Sequence, residues 1–331
     1  MEKQWFVGID ISKKTLDCRI YFSDNFRPEN YLQVTNCKSG FKTLLKWFKT
    51  RKMQLSEIAV CMEHTGSYGL DISLFLEESG VDYLMVPGLQ IKRSLGLARG
   101  KSDKVDAARI ARYCYQRRDE LVYSKSKSEA LLCIQSLVAE RRHQVKRQVQ
   151  AKTYLTEHKG QADNRSKLRY KQEQEQAGRF IREIESEILE VIASDSDLQK
   201  NYDLLVSITG IAFVNAVNII LYTNNFTGFA NARAYACYIG VAPFAYQSGT
   251  SISKRTRVSK LANRRLKADL SQAAVSAIGH DPELRNYYRR KIAQGKDYGK
   301  VLNAVKFKLV ERMFAVVNRG SRYVKLGSYA A

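Results

Sequence analysis

The chain has 331 residues, 44% of them hydrophobic, with 55 Lys and Arg against 33 Asp and Glu, a formal net charge of +22. No stretch approaches the roughly 20 apolar residues of a membrane span. The six cysteines, at 18, 37, 61, 114, 133 and 237, never show the two-residue spacing of a zinc or redox motif, so a reduced, cytoplasmic protein without a membrane anchor is expected. Glu2 and Asp10 bracket too short an apolar run for a signal peptide. The positive balance points to a polyanionic partner, and the length suffices for two or three cores.

Residues 1 to about 120 read as an α/β segment. Strands are expected near 5–10, 15–22, 31–36, 57–63 and 82–86, with helices near 39–51 and 68–79. The first three strands lie close enough to pair as an antiparallel meander, and the last two follow helices, so the sheet is expected to be mixed, in the order of a ribonuclease H fold. Asp10 and Glu63 each end a short apolar run, at the C-terminal end of an expected strand. Past Pro87 and Gly88, a segment with Lys92, Arg93, Arg99 and Lys101 leads into Lys-Ser-Asp-Lys-Val-Asp. If that segment opens a helix, Asp103 and Asp106 share one face. Four carboxylates so placed suit a site for divalent ions of the oxygen-preferring kind, magnesium or manganese, and phosphodiester chemistry. Each acid also has a plainer reading: strand-end acids are commonly turn residues, and Asp103 suits a helix N-cap. His64, beside Glu63, reads foremost as a local hydrogen-bonding residue.

From about 126 to 195 the chain has no proline, and glycine only at 160 and 178. Leu131, Ile134, Val138, Val145 and Val149 form one apolar stripe, opened by a Ser126–Glu129 capping box. Ile181, Ile184, Ile188 and Val191 form a second, with a polar stretch at 156–176 between them. An antiparallel helical hairpin or coiled coil is expected. Its basic residues Arg141, Arg142, Lys146, Arg147 and Lys152 suit either a nucleic-acid grip or a solvated face.

Beyond 200, Ser207-Ile208-Thr209-Gly210-Ile211 joins two apolar stretches in the manner of a helix-hairpin-helix, whose turn amides can hold a phosphate. A flexible stretch around Gln247-Ser248-Gly249 follows. Next comes a basic run with Lys254, Arg255, Arg257, Lys260, Arg264, Arg265 and Lys267, the densest phosphate-binding candidate in the chain. The tail, 283–315, reads as helical; Tyr287 and Tyr288 beside Arg289, Arg290 and Lys291 suit base stacking or simple burial. Three domains are expected: 1–120, the α/β catalytic domain; 121–199, a helical linker; and 200–331, a mainly helical C-terminal domain.

Two motif sets in order resemble the RuvC-like DEDD transposases of bacterial insertion sequences, a group of bridge-RNA-guided recombinases. The first comprises Gly8-Ile9-Asp10-Ile11-Ser12-Lys13, Glu63 in Glu-His-Thr-Gly-Ser-Tyr-Gly, and Asp103 and Asp106 in Lys-Ser-Asp-Lys-Val-Asp-Ala. The second comprises Ala242-Pro243 to Ser248-Gly249, Ser259-Lys260 and Asn263-Arg264-Arg265. Ala212 and Ala262 stand where the family commonly has glycine. The resemblance implies a RuvC-like catalytic domain using Mg2+ or Mn2+ on Asp10, Glu63, Asp103 and Asp106. It implies Ser248 as a nucleophile that forms a covalent phosphoserine link to DNA; without the resemblance Ser248 reads as a turn residue. It further implies donor and target DNA as substrates, a non-coding bridge RNA as partner, and a homo-oligomer, a dimer pairing to a tetramer, working at the bacterial nucleoid. Two other readings stay open, a Holliday-junction-resolvase type of nuclease using the four acids alone and a non-enzymatic nucleic-acid-binding protein; a sugar-kinase or actin type of phosphate loop would need a second glycine-rich loop, and none appears in the sequence.

Overall fold

A computed structural model describes residues 3–21, 30–64, 66–94, 102–160, 163–248, 252–258 and 262–324. Its contacts divide the chain into two compact units, residues 1–126 and 127–331.

The first unit is built on β1 (Trp5–Ile11), β2 (Thr15–Ile20), β3 (Tyr31–Thr35), β4 (Ile58–Glu63) and β5 (Asp82–Val86), joined in the order β3-β2-β1-β4-β5. β1, β2 and β3 pair antiparallel, whereas β1, β4 and β5 pair parallel, as the short and long connections dictate. The helices α1 (Lys38–Thr50), α2 (Leu70–Glu78), α3 (Gly88–Ser94) and α4 (Asp103–Gln116) complete the unit. This mixed sheet is the one expected, and it fits a ribonuclease H-like fold.

Side chains alternate across the sheet and sort into two cores. On one face Val7, Ile9, Ile11, Leu16, Cys18, Val60 and Met62 pack with Phe41, Leu44, Phe48, Ile72 and Leu76 from α1 and α2. On the other, Phe6, Ala59, Cys61, Leu84 and Val86 pack with Ile91 of α3 and with Ile110, Tyr113 and Cys114 of α4. Gly8 lies on this second face. A Cβ there would overlap the backbone of α4 at Ala107 and Ala111, so glycine lets the helix lie directly on β1.

In the second unit, α5 (Glu129–Glu157) and α6 (Asn164–Ala193) form an antiparallel pair. Arg141 pairs with Glu185 at 2.6 Å, Arg147 with Glu173 at 3.4 Å, and the Tyr154 and Tyr170 rings stack at 3.8 Å, so rising positions on α5 meet falling ones on α6. The helical hairpin is as expected, with two differences. Ser128, not Ser126, caps α5 by accepting a hydrogen bond from Leu131 N, while Ser126 N donates to Glu77 Oε2. And α6 runs back through most of the polar stretch, where the ion pair and stacked rings replace an apolar stripe.

The remaining elements are α7 (Ser196–Val206), α8 (Phe213–Tyr222), α9 (Ala232–Tyr238), β6 (Pro243–Ser248), β7 (Ile252–Val258), α10 (Arg264–His280), α11 (Pro282–Ala293) and α12 (Tyr298–Arg319). One continuous core links the lower part of the helical hairpin, through Ile134, Val138, Ile184 and Ile188, to α7–α10 and α12. Gly210, between α7 and α8, has φ +93°, and a Cβ there would press on Ala273 and Ala277 of α10. Asp281, 2% exposed, caps α11 and pairs with Arg312 of α12 at 2.7 Å. Residues 243–248 and 252–258, expected as a flexible stretch and a basic run, instead form the antiparallel pair β6–β7, with Ser248 opposite Ile252; Gly249 lies outside the described residues. Among the described residues no helix is long and apolar enough to cross a membrane.

Candidate active site

Asp10 lies on β1 two residues past Gly8, on the face covered by α4. β1 and β4 pair in parallel register, Gly8 with Cys61 and Ile9 with Met62, so the next rung sets Asp10 beside Glu63. Ser102 caps α4 by accepting from Val105 N, which makes Asp103 the first helical residue and not the cap. The helix is pinned at Ala107 and Ala111 over Gly8, so its first turn, with Asp103 and Asp106, stands near the C-terminal end of β1.

The electrostatics report this gathering directly. Burial pushes the Asp10 carboxyl up to about 6, and the negative charges of Asp103, Asp106, Glu63 and Asp17 push in the same direction. In a chain of net charge +22, the four acids whose charges act on Asp10 form with it a local region of opposite sign.

Individual side chains are engaged in different ways. Asp106 accepts from Arg109 at 2.8 Å, one turn along α4. Glu63 turns against Gly88, the first residue of α3, where a Cβ would overlap its carboxylate. Among the described residues no three His, Cys, Asp or Glu side chains come together closely enough to hold a metal ion. The donor set nonetheless fits a hard divalent cation: all four are carboxylates, and the repulsion on Asp10 is what a bound cation relieves. His64 is exposed; its N donates to Val86 O, and its Nδ1 accepts from Gly66 N at 3.4 Å, a local turn role.

Four residues absent from the sequence-based site belong to this neighbourhood: Asp17, Lys104, Gly8 and Gly88. Asp17, 2% exposed on β2, is cross-strand partner to Asp10; it accepts from Tyr31 Oη and from Gln33 Nε2 at 3.1 Å. Lys104 of α4 sits 4.7 Å over the Tyr31 ring. The available signal for Asp17 was an acid inside the apolar run Leu16–Ile20. Gly8 and Gly88 carry no chemistry but make room for α4 and for Glu63.

In the second unit Ser248 is the last residue of β6, and Lys254, Arg255 and Arg257 lie on β7. Arg264 and Arg265 open α10 and are exposed, and Lys267, a turn later, is half-buried. Lys260, like Arg99 and Lys101, lies outside the described residues.

Comparison with known proteins covers both segments. A family model for IS110-type DEDD transposases matches residues 7–158, and the model described as Transposase IS116/IS110/IS902 family matches residues 202–289. The pilin gene-inverting proteins of Moraxella bovis and Moraxella lacunata are each 25% identical over 333 residues, spanning 97% of this chain and 98% of their own. An insertion element IS110 uncharacterized 43.6 kDa protein of Streptomyces coelicolor is 30% identical over 120 residues, 36% of this chain and 29% of its own. Mixed sheet, carboxylates and both matches define a DNA transposase or recombinase of the DEDD class. The chain belongs to the IS110 family of transposases.

Proposed function

We propose that the chain cleaves, exchanges and rejoins DNA strands through a covalent phosphoserine intermediate, with Ser248 as nucleophile and the carboxylates of Asp10, Glu63, Asp103 and Asp106 holding divalent ions, Mg2+ or Mn2+. The observation that carries the reading is that Asp10 feels the negative charges of Glu63, Asp103 and Asp106 where α4 lies on β1. Bound ions supply charge neutralisation at the phosphate and at the departing oxygen. Ser248 Oγ bonds to phosphorus as the bond from phosphorus to the leaving deoxyribose oxygen breaks, and the serine proton ends on that oxygen, which leaves as a hydroxyl. Reversal by the hydroxyl of a second strand rejoins the backbone and frees the serine, so no high-energy nucleotide is consumed. Lys254, Arg255, Arg257, Lys260, Arg264, Arg265 and Lys267 contribute cations for the phosphate backbone. The family resemblance adds a bridge RNA that selects donor and target DNA, a dimer that pairs into a tetramer, and a cytoplasmic, nucleoid-associated setting. The division into a catalytic domain at 1–120, a linker at 121–199 and a serine-bearing domain at 200–331 belongs to this reading.

A second reading rests on the relatives that match almost end to end, which are named for inverting a pilin gene. The same strand exchange, at two sites in one molecule and in opposed orientation, inverts the DNA between them.

The test is made in cells carrying the gene with its native flanking DNA, scoring both excised circular junctions and inverted segments. Asp10→Ala and Ser248→Ala, accumulating at the wild-type level, are expected to abolish both products. Loss with Asp10→Ala alone rejects the serine nucleophile and leaves a metal nuclease of the resolvase type.

A further inference from the structure

Two cavities of the second unit contrast in how their cations are satisfied. The first, about 440 Å³ between α5, α8 and α10, has Arg141 and Arg142 in its lining, both already engaged. Arg142 donates to Asn218 Oδ1 at 3.0 Å and to Tyr222 Oη at 3.2 Å, and Arg141 pairs with Glu185. The second, about 970 Å³, is bounded by α11, α12, the start of α10 and the base of the β6–β7 pair, where Pro243 and Val258 lie opposite one another. Seven Lys and Arg side chains line it against two carboxylates, Asp297 and Glu311. Asp297 is engaged in capping α12.

Lys306 is 6% exposed, and its Nζ donates to Ser271 Oγ at 2.8 Å. Lys267 Nζ donates to Gly240 O at 2.7 Å. Among the described residues neither ammonium is paired with a carboxylate, although each has three donors to satisfy. Burial holds both below the usual lysine range, and the charge of Lys267 adds to the effect on Lys306. Two neighbouring cations, Lys306 buried and Lys267 half-buried, held only on neutral acceptors, are half of an ion pair; an anion from outside supplies the other half. The Tyr287 ring lines the same cavity, with Lys308 Nζ 4.9 Å and Lys291 Nζ 6.0 Å from its centre, giving it an aromatic wall among its cations.

We propose that this cavity is a phosphodiester-binding pocket in which Lys267 and Lys306 receive a backbone phosphate of the nucleic acid on which the protein acts. It rests on the reading of the chain as a nucleic-acid enzyme and deepens it. β6 leads from Pro243 at the pocket to Ser248, five residues on, a span of about 17 Å at 3.3 Å per residue. At about 3.4 Å of helix axis per nucleotide, a strand attacked at Ser248 would be held here roughly five nucleotides away.

The experiment measures binding of the full-length protein, in metal-free buffer, to a labelled DNA duplex and to a labelled single-stranded RNA over a series of salt concentrations. Lys306→Met and Lys267→Met keep the apolar stem and remove the charge; Lys46→Met, on the exposed side of α1, is the charge-matched control. Each pocket variant is expected to bind about tenfold more weakly. The slope of log affinity against log salt should fall by roughly 0.7 to 0.9 per lysine, with the control unchanged. Lys306→Met should also melt at a higher temperature than wild type, because an unpaired buried cation has gone. Loss on DNA alone, on RNA alone, or on both identifies whose phosphate the pocket takes. Wild-type affinity and slope on both nucleic acids overturn the proposal; if Lys306→Met fails to fold, the half-buried Lys267→Met decides. Ser248→Ala should bind as wild type does, so a failed nucleophile assignment and a failed pocket assignment give different results.

Discussion

Asp10 shows how a single carboxyl records its surroundings. Its folded value near 6 lies above the ordinary 3.8. The folded state therefore holds the proton more tightly than the unfolded chain, and the stability this confers is fully present below about pH 4 and lost as pH rises through 6. At neutral pH the ionised group opposes folding of the metal-free protein. Asp10→Asn should accordingly raise the melting temperature of metal-free protein at pH 8 by about 2–4 °C and leave it unchanged at pH 4. Added Mg2+ or Mn2+ should stabilise wild type far more than the Asn variant. Thermal melts at the two pH values, with and without the cation, check this; an Asn variant that melts lower at pH 8 contradicts it. Asp10 and Glu63 were candidates because acids at the ends of apolar runs stand out in a basic chain, and Asp103 and Asp106 because their three-residue spacing puts them on one helix face. Asp17 was not, since its role comes from register: only pairing of β1 with β2 sets it opposite Asp10. Gly8 and Gly88 were silent for the same kind of reason, because close approach to another element leaves no mark in local sequence.

At the scale of elements, the site depends on how α4 is seated on β1. The contact is backbone against backbone at Gly8, so Gly8→Val forces the helix away and overpacks the sheet face at once. It is expected to destabilise the first unit by about 3 kcal/mol and to abolish recombination, read by urea denaturation and by the junction assay. Wild-type stability would show that α4 is free to shift without cost. The five strands were legible as apolar runs bounded by polar turns, and the helical hairpin as two stripes at helical spacing. The pair β6–β7 was not: Ser253, Lys254, Arg255, Thr256 and Arg257 lack the apolar alternation that announces a strand. The cap of α5 was misplaced by two residues because Ser126 and Ser128 both precede the helix, and what separates them is a distant partner, Glu77.

At the scale of the whole molecule, the acids lie in one compact unit and Ser248 in the other. If complete sites form between subunits, an Asp10→Ala chain and a Ser248→Ala chain, each inactive alone, should recover junction formation when co-expressed. Differently tagged chains that co-purify yet yield no junction would reject composite sites. Function at this scale was legible only in part: the net charge of +22 announced a polyanion. Transposase membership came from motif order, and the substrate sequences are not written in the chain.

The α5–α6 hairpin has one further consequence. At 1.5 Å per residue, the 29 residues of α5 extend about 43 Å, the length of roughly thirteen base pairs of duplex. The arm is thus a ruler graduated in helical turns. Its lower part is anchored in the core, while Tyr154 and Tyr170 close it near the far end. Removing seven residues from each helix, a near-whole number of turns, would draw the tip in by about 10 Å, or three base pairs, while keeping the facing sides in phase. Any partner grasped at that tip is therefore held at a distance set by the number of residues in the helices.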